Sequence, residues 1–289
     1  MNYQIFTDAT ADLSGSMVEN LPKLEIIPMR VHIGEEEFEY GPDGTITAKK
    51  FYDLQRSGKF AKTSQINPLT YESYFEPILQ EGKDILYICF SSGLSGTIQS
   101  ARICAEELGE KYPDRKIICI DSLCASVGEG FIVCEALKRQ KEGLTIDELE
   151  EWLKGHRLNV CHWFTVDTLD HLRHGGRVST TAAVVGTALQ IKPLLDVDNE
   201  GHLRPVEKLR GKKKTIVTLV NKMKQNWNSD MGNLIVIGHG DDIDSADLIK
   251  SKVLDEFENV DVHIADVGPI IGAHTGPGVL VIVFWGNNR

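Results

Sequence analysis

The stretch D-I-L-Y-I-C-F-S-S-G-L-S-G-T, residues 84–97, decides the fold. Residues 85–90 form an unbroken apolar run, the pattern of a strand buried on both faces. The run stops abruptly in hydroxyls and glycines. Behind it, Leu94, Ile98, Ala101, Ala105 and Leu108 recur at helical spacing, and Gly109 is expected to stop that helix. A strand feeding directly into a helix is the first half of a βαβ unit. In an open α/β sheet the crevice at the carboxyl ends of the strands is where ligands bind. Here that end carries Ser91, Ser92, Ser95 and Thr97. Backbone N–H groups at the helix N-terminus add a preference for an anion. The segment reads either as a site for a small negative group held by neutral donors, or as a strand-to-helix turn with serine capping.

The neighbouring chain repeats the alternation. Residues 4–6 and 26–33 read as strands, with 38–40 a short partner. Asn67-Pro68 starts a helix over 69–80. Residues 117–120 read as a strand, Asp121-Ser122 as a polar turn and 124–141 as a helix. Thr145 and Glu148 make a capping box opening a helix that ends near Gly155. This order predicts a Rossmann-like domain over residues 1–155, a parallel sheet with helices on both faces.

Residues 156–289 are patterned differently. Residues 160–166 read as a strand, and Gly175-Gly176 breaks the chain between two short helical segments. Residues 191–197 and 202–209 read as a hairpin around 198–201. Helices are expected at 212–226 and 245–257, strands at 234–237 and 260–264. The wholly apolar run 279–285 is expected as a central strand. The expectation is a second, mixed α/β domain, with the ligand between the two.

A chain of 289 residues, 42% hydrophobic and 25% charged, is long enough for a sizeable core. Its net charge of -11 makes nucleic acid or an anionic membrane a poor default partner. The one dense basic run, Arg210-Gly211-Lys212-Lys213-Lys214, reads as a solvated helix start. No signal-peptide pattern is visible, and the longest apolar run is too short to span a bilayer. The six cysteines include no C-x-x-C and no Cys/His metal spacing. They read as reduced core residues of a cytoplasmic protein without a metal.

Familiar catalytic motifs are absent. A nucleophile elbow needs G-x-S-x-G, and Gly93-Leu94-Ser95-Gly96-Thr97 lacks the last glycine. No phosphate-binding loop precedes the lysine run, and no G-x-G-x-x-G follows a strand. Gly238-His239-Gly240-Asp241-Asp242 reads as a turn before a helix rather than a metal site. What remains is a set of hydroxyl- and glycine-rich turns. In residues 271–278, three glycines surround His274 and Thr275, which reads as a loop letting backbone approach a ligand closely.

Taken in order, these turns resemble the DegV family of bacterial fatty-acid-binding proteins. The matching segments are Thr7-Asp8-Ala9-Thr10-Ala11-Asp12-Leu13, Thr63-Ser64-Gln65, Ser91-Ser92-Gly93-Leu94-Ser95-Gly96-Thr97 and Asp121-Ser122. Gly175-Gly176-Arg177, Lys192-Pro193 and Gly272-Ala273-His274-Thr275-Gly276-Pro277-Gly278 complete the set. The resemblance implies a carrier rather than an enzyme, similar in role to the acyl-carrying subunit of the bacterial fatty acid kinase system. A long-chain fatty acid would lie between the domains, its carboxylate on Thr63 and Ser95 with His274 nearby. Ser92, Gly93, Thr275 and Arg177 are secondary candidates, Arg177 with an implied role in phosphate transfer. The implied partner is a separate kinase, with transient membrane contact compatible and no cofactor. One departure from the pattern is Ile66-Asn67-Pro68, where many members place a proline directly after the glutamine. Two rival readings stand beside this one. One is a hydrolase or acyltransferase using Ser95 as nucleophile and His274 as base; the other is a binding module for another small carboxylate or phosphate.

Overall fold

The structure is a computed structural model and describes residues 2–178 and 191–289. The chain opens with β1 (Tyr3–Asp8), α1 (Gly15–Val18), β2 (Leu24–Ile27), β3 (Met29–Ile33) and β4 (Glu36–Tyr40). It continues through α2 (Ala48–Arg56), β5 (Ala61–Thr63), α3 (Pro68–Gln80), β6 (Asp84–Cys89) and α4 (Thr97–Lys111). Then come β7 (Ile117–Asp121), α5 (Val127–Glu142), α6 (Ile146–His156), β8 (Val160–Thr165) and α7 (Asp170–His174). After the undescribed stretch follow β9 (Ile191–Val197), β10 (Leu203–Arg210), α8 (Lys212–Asn226) and β11 (Leu234–His239). The chain closes with α9 (Ile243–Glu256), β12 (Asp261–Asp266), α10 (Pro269–Thr275) and β13 (Leu280–Trp285). The second helical segment expected after Gly176 lies outside the described residues.

The expected parallel sheet is present, in the order β2-β1-β6-β7. Alternation along β6 divides its two faces. Ile85 and Tyr87 pack with Phe75 and Ile98 of α3 and α4, whereas Leu86 and Ile88 pack with Phe131 and Ile132 of α5. The second sheet is mixed, β10-β9-β8-β13-β11-β12, with the apolar strand β13 in its interior as expected. Its outer face is covered by α8 and α9. Its inner face shares one core with α5, which is why α5 carries apolar side chains nearly all round.

Local signals behave as read in several places. Asn67 caps α3 with Pro68 in the first turn, and both halves of the Thr145–Glu148 capping box form. The hairpin turn closes with Asp198 N–H donating to His202 O at 3.0 Å. Other expectations are corrected. The run 26–33 is not one strand: it divides at Pro28, which lacks an N–H for the ladder. β2 stays in the parallel sheet, and β3 enters a separate antiparallel sheet, β4-β3-β5. Gly109 does not stop α4, which runs to Lys111, whereas α6 ends at His156, beside Gly155 as expected. The helix expected from residue 124 begins at Val127, since Leu123 and Ser126 both take positive φ, 51° and 54°. Among the described residues no helix is long and apolar enough to cross a membrane.

Candidate functional site

A cavity of about 900 Å³, the open space at its mouth included, lies between the turn leading into α5, helix α10 and the six-stranded sheet. Most of its wall is apolar, with Met29, Phe90, Phe164, Leu172, Ile270 and Val281 among the lining residues. Neutral polar groups gather at one end.

The first polar pair is built by β5 and α10. Thr63 Oγ1 and His274 Nε2 are 2.9 Å apart. Burial, with the nearby charges of Arg177, His171 and His174, lowers the His274 pKa to about 4, so the ring is neutral at neutral pH. Its Nδ1 is buried and has no partner among the described residues. Gly175 lies directly against it: a Cβ there would sit 2.2 Å from Nδ1. With its proton on Nε2, the imidazole donates to Thr63 Oγ1. The threonine O–H is then free to donate into the cavity.

The second pair sits at the start of α4. Ser95 Oγ and Thr97 Oγ1 are 2.7 Å apart, and Ser95 Oγ also accepts from Thr97 N–H at 3.3 Å, while the N-cap residue, Gly96, has no side chain to cap the helix. Arg177 closes this end. Its Nε donates to Leu94 O at 3.2 Å and its Nη1 to Gly175 O. It forms no ion pair with a carboxylate among the described residues. The arrangement offers an anion several neutral hydroxyl donors, with one guanidinium at the margin.

The structure brings Thr63, Ser95, Arg177, His274 and Thr275 to the wall of this one cavity. Thr275 uses its hydroxyl on Ile271 O at 3.2 Å. Ser92 and Gly93 do not line it. Ser92 is exposed, with its N–H donating to Asp121 Oδ1 at 3.2 Å. Gly93 is pressed against the β9–β10 turn, where a Cβ would lie 2.7 Å from Glu200 O. Ser91 likewise donates to Gly201 O at 2.8 Å, so part of the serine-rich turn serves to dock the hairpin. Of the segment 271–278 read as a loop, residues 276–278 form a turn, and residues 271–275 before it belong to the short helix α10. Its backbone is held from the first half of the chain. Gly268 N–H donates to Asp12 Oδ1 at 2.9 Å, Tyr52 OH to Val267 O at 2.7 Å and Gln55 Nε2 to Gly272 O at 2.9 Å.

Sequence reading missed the side chains that the six-stranded sheet lends to the wall: His162 and Phe164 of β8 and Val281 of β13. The signal available was the two-residue alternation of those strands, which does not say which face meets a ligand. Thr10 and Ser126 also line the wall, with their hydroxyls turned into buried acids. Ser126 donates to Asp12 Oδ2 at 2.6 Å. Thr10 Oγ1 contacts both Asp8 Oδ1 and, at 2.7 Å, Glu129 Oε2. A hydroxyl has one proton to give, so one of those carboxyls supplies the other. Asp8 already accepts from Thr10 N–H at 2.9 Å and from Tyr87 OH at 2.5 Å, as a carboxylate should. Glu129 is therefore the protonated member, donating to Thr10. Its complete burial, reinforced by the charge of Asp8, holds its pKa well above the usual carboxyl range.

With this geometry in hand, known proteins were compared. The profile of the family described as "Uncharacterised protein, DegV family" matches residues 2–287. A DegV domain-containing protein of Clostridium perfringens is 38% identical over 287 residues, covering 99% of this chain and 98% of the relative. A solved DegV family protein of Thermus thermophilus, described for its fatty acid binding, superposes with a TM-score of 0.86 at 26% identity. It covers 99% of this chain and 100% of its own. The Fatty Acid Kinase (Fak) B3 protein of Streptococcus pneumoniae, solved with linoleic acid, gives a TM-score of 0.88 at 20% identity. It covers 99% of this chain and 100% of its own, and at that identity the likeness is one of fold. Matched by the family profile from residue 2 to residue 287, this chain belongs to the DegV family.

Proposed function

We propose that this protein binds a long-chain fatty acid in the cavity and presents the carboxylate to a separate kinase, which forms the acyl phosphate. The observation that carries the reading is a cavity with mostly apolar walls where the neutral donors Thr63, Ser95 and Thr97 gather beside the neutral ring of His274. Residues 1–155 then supply the hydroxyl-rich turns, and residues 156–289 close the lipid pocket. Burying about fourteen methylenes at ~0.8 kcal/mol each is worth ~11 kcal/mol gross. The tail sets affinity and the head group sets orientation. Neutral donors leave the carboxylate nucleophilic toward a phosphoryl donor, which a tight arginine salt bridge would not. The chain lacks nucleotide-binding motifs, so the phosphoryl donor comes with a partner, and the reaction belongs in the cytoplasm.

The relatives described by their fatty acids support the lipid reading. The hydrolase alternative is disfavoured by two contacts: His274 Nε2 pairs with Thr63 rather than Ser95, and its Nδ1 meets no orienting acid. The test is denaturing extraction of the purified protein followed by mass spectrometry. A long-chain acid near one per chain is expected. A polar metabolite in its place would sink the lipid reading and favour a module for another small anion.

A further inference from the structure

The geometry points to His162 as the residue that sets how long an acyl chain this cavity accepts, with Gly128 as the wedge that fixes its ring. The inference rests on the lipid reading above and adds to it a determinant of the substrate's length. The face of β8 toward the cavity carries His162 and then Phe164, in the direction of α7. Helix α7 leads into Gly175 and His274 at the polar end. His162 therefore lies at the end of this row farther from the head group, beyond Phe164.

A side chain measures length only if it cannot swing aside, and His162 is fixed on three sides. Its Nδ1–H donates to Val160 O at 3.1 Å, and its Nε2 accepts from Ala125 N–H at 3.4 Å. The ring rests on the bare backbone of Gly128 in α5, where a Cβ would lie 1.8 Å from Nε2. Both nitrogens are engaged with backbone and the residue is only 3% exposed. The ring therefore meets the cavity as a rigid, uncharged block. Thr10 and Ser126 have likewise turned their hydroxyls into the protein. Among the described residues the wall offers no unmet polar group there, which suits an unsubstituted hydrocarbon tail.

The test uses the full chain loaded from an equimolar mixture of tetradecanoic, hexadecanoic, octadecanoic and eicosanoic acids, with the bound acids extracted and quantified. Each further buried methylene is worth about fourfold in affinity. His162→Ala opens room beyond Phe164, and the ratio of octadecanoic to tetradecanoic acid should rise by roughly tenfold or more over the parent. His162→Asn keeps an acceptor toward Ala125 N–H and carries the same expectation with less risk to folding. Gly128→Ala should push the ring into the cavity and move the ratio the opposite way. In the His162→Ala background, Gly128→Ala should have little effect, because its methyl group no longer meets a ring. A Gly128→Ala protein that folds only in that background supports the wedge as well. A parent that carries fatty acid, with the same length profile in every variant, overturns the inference and leaves the lipid reading standing. A parent that takes up no fatty acid overturns the lipid reading itself.

Discussion

Glu129 is a carboxyl group with no contact with solvent, and its proton is required by the single hydroxyl of Thr10. A neutral acid in the fold has a pH signature. Its folded pKa lies above the unfolded value of about 4.3, so the folded state holds a proton that the unfolded state releases. Stability from this group is fully present below the unfolded pKa and falls as pH rises toward the folded one. Glu129→Gln replaces the acid by an amide able to donate to Thr10 and accept from Thr7. Urea denaturation from pH 5 to pH 8 should show the variant gaining on the parent as pH rises, by at most about 1.4 kcal/mol per pH unit. A difference independent of pH would move the proton elsewhere. The head-group hydroxyls carry a simpler expectation. Removing one donor to a carboxylate costs about 1–3 kcal/mol, so Ser95→Ala or Thr63→Ala should weaken fatty-acid binding from several-fold to about a hundredfold. Displacement of a fluorescent fatty acid measures this, and unchanged affinity in both variants would remove the two residues from the site.

Among the elements, those with local signals were legible from sequence and those set by distant partners were not. Helix α6 announces itself through Thr145 and Glu148, three residues apart, and the β9–β10 hairpin through its turn. The division at Pro28 was missed because β3 finds its partner β5 some thirty positions away, and pairing at that range leaves no periodicity to read. Residues 271–278 read as a loop because Gly272, Gly276, Pro277 and Gly278 are poor helix formers, yet residues 271–275 belong to helix α10. It is helical because Asp12, Tyr52 and Gln55 hold its backbone, which no local pattern reports. The candidate site followed the same division: Thr63, Ser95 and His274 sit in distinctive hydroxyl- or glycine-rich sequence segments, whereas His162 and Phe164 sit in an ordinary apolar strand. At the end of α7, the Gly175-Gly176 pair turns Arg177 toward Leu94 at the margin of the cavity. Arg177 meets no described carboxylate and is well set to hold a phosphate. Arg177→Ala should keep fatty-acid binding while kinase-coupled phosphorylation falls tenfold or more, about 1.4 kcal/mol per decade. Turnover equal to the parent's would reduce Arg177 to a packing residue and make His274 the next candidate.

Across the whole molecule, layers alternate: α3 and α4, the parallel sheet, α5 and α6, the mixed sheet, then α8 and α9. Two sheets sharing one helical layer give the cavity stiff walls, and its polar end is assembled from strands and helices far apart in sequence. The clamp on α10 shows how far. The bond between Gly268 and Asp12 spans 256 positions, and those of Tyr52, Gln55 and Thr63 span 215, 217 and 211. Closing loops of that size is entropically unfavourable and slow relative to local structure. As the chain is synthesised, Thr63 waits for His274, and the head-group pocket cannot exist before the residues of α10 have emerged. On the proposed reading, acyl binding is tied to the last act of folding. A ligand held only by the finished fold stabilises that fold alone, so a supply of fatty acid would govern how firmly the two ends of the polypeptide stay joined.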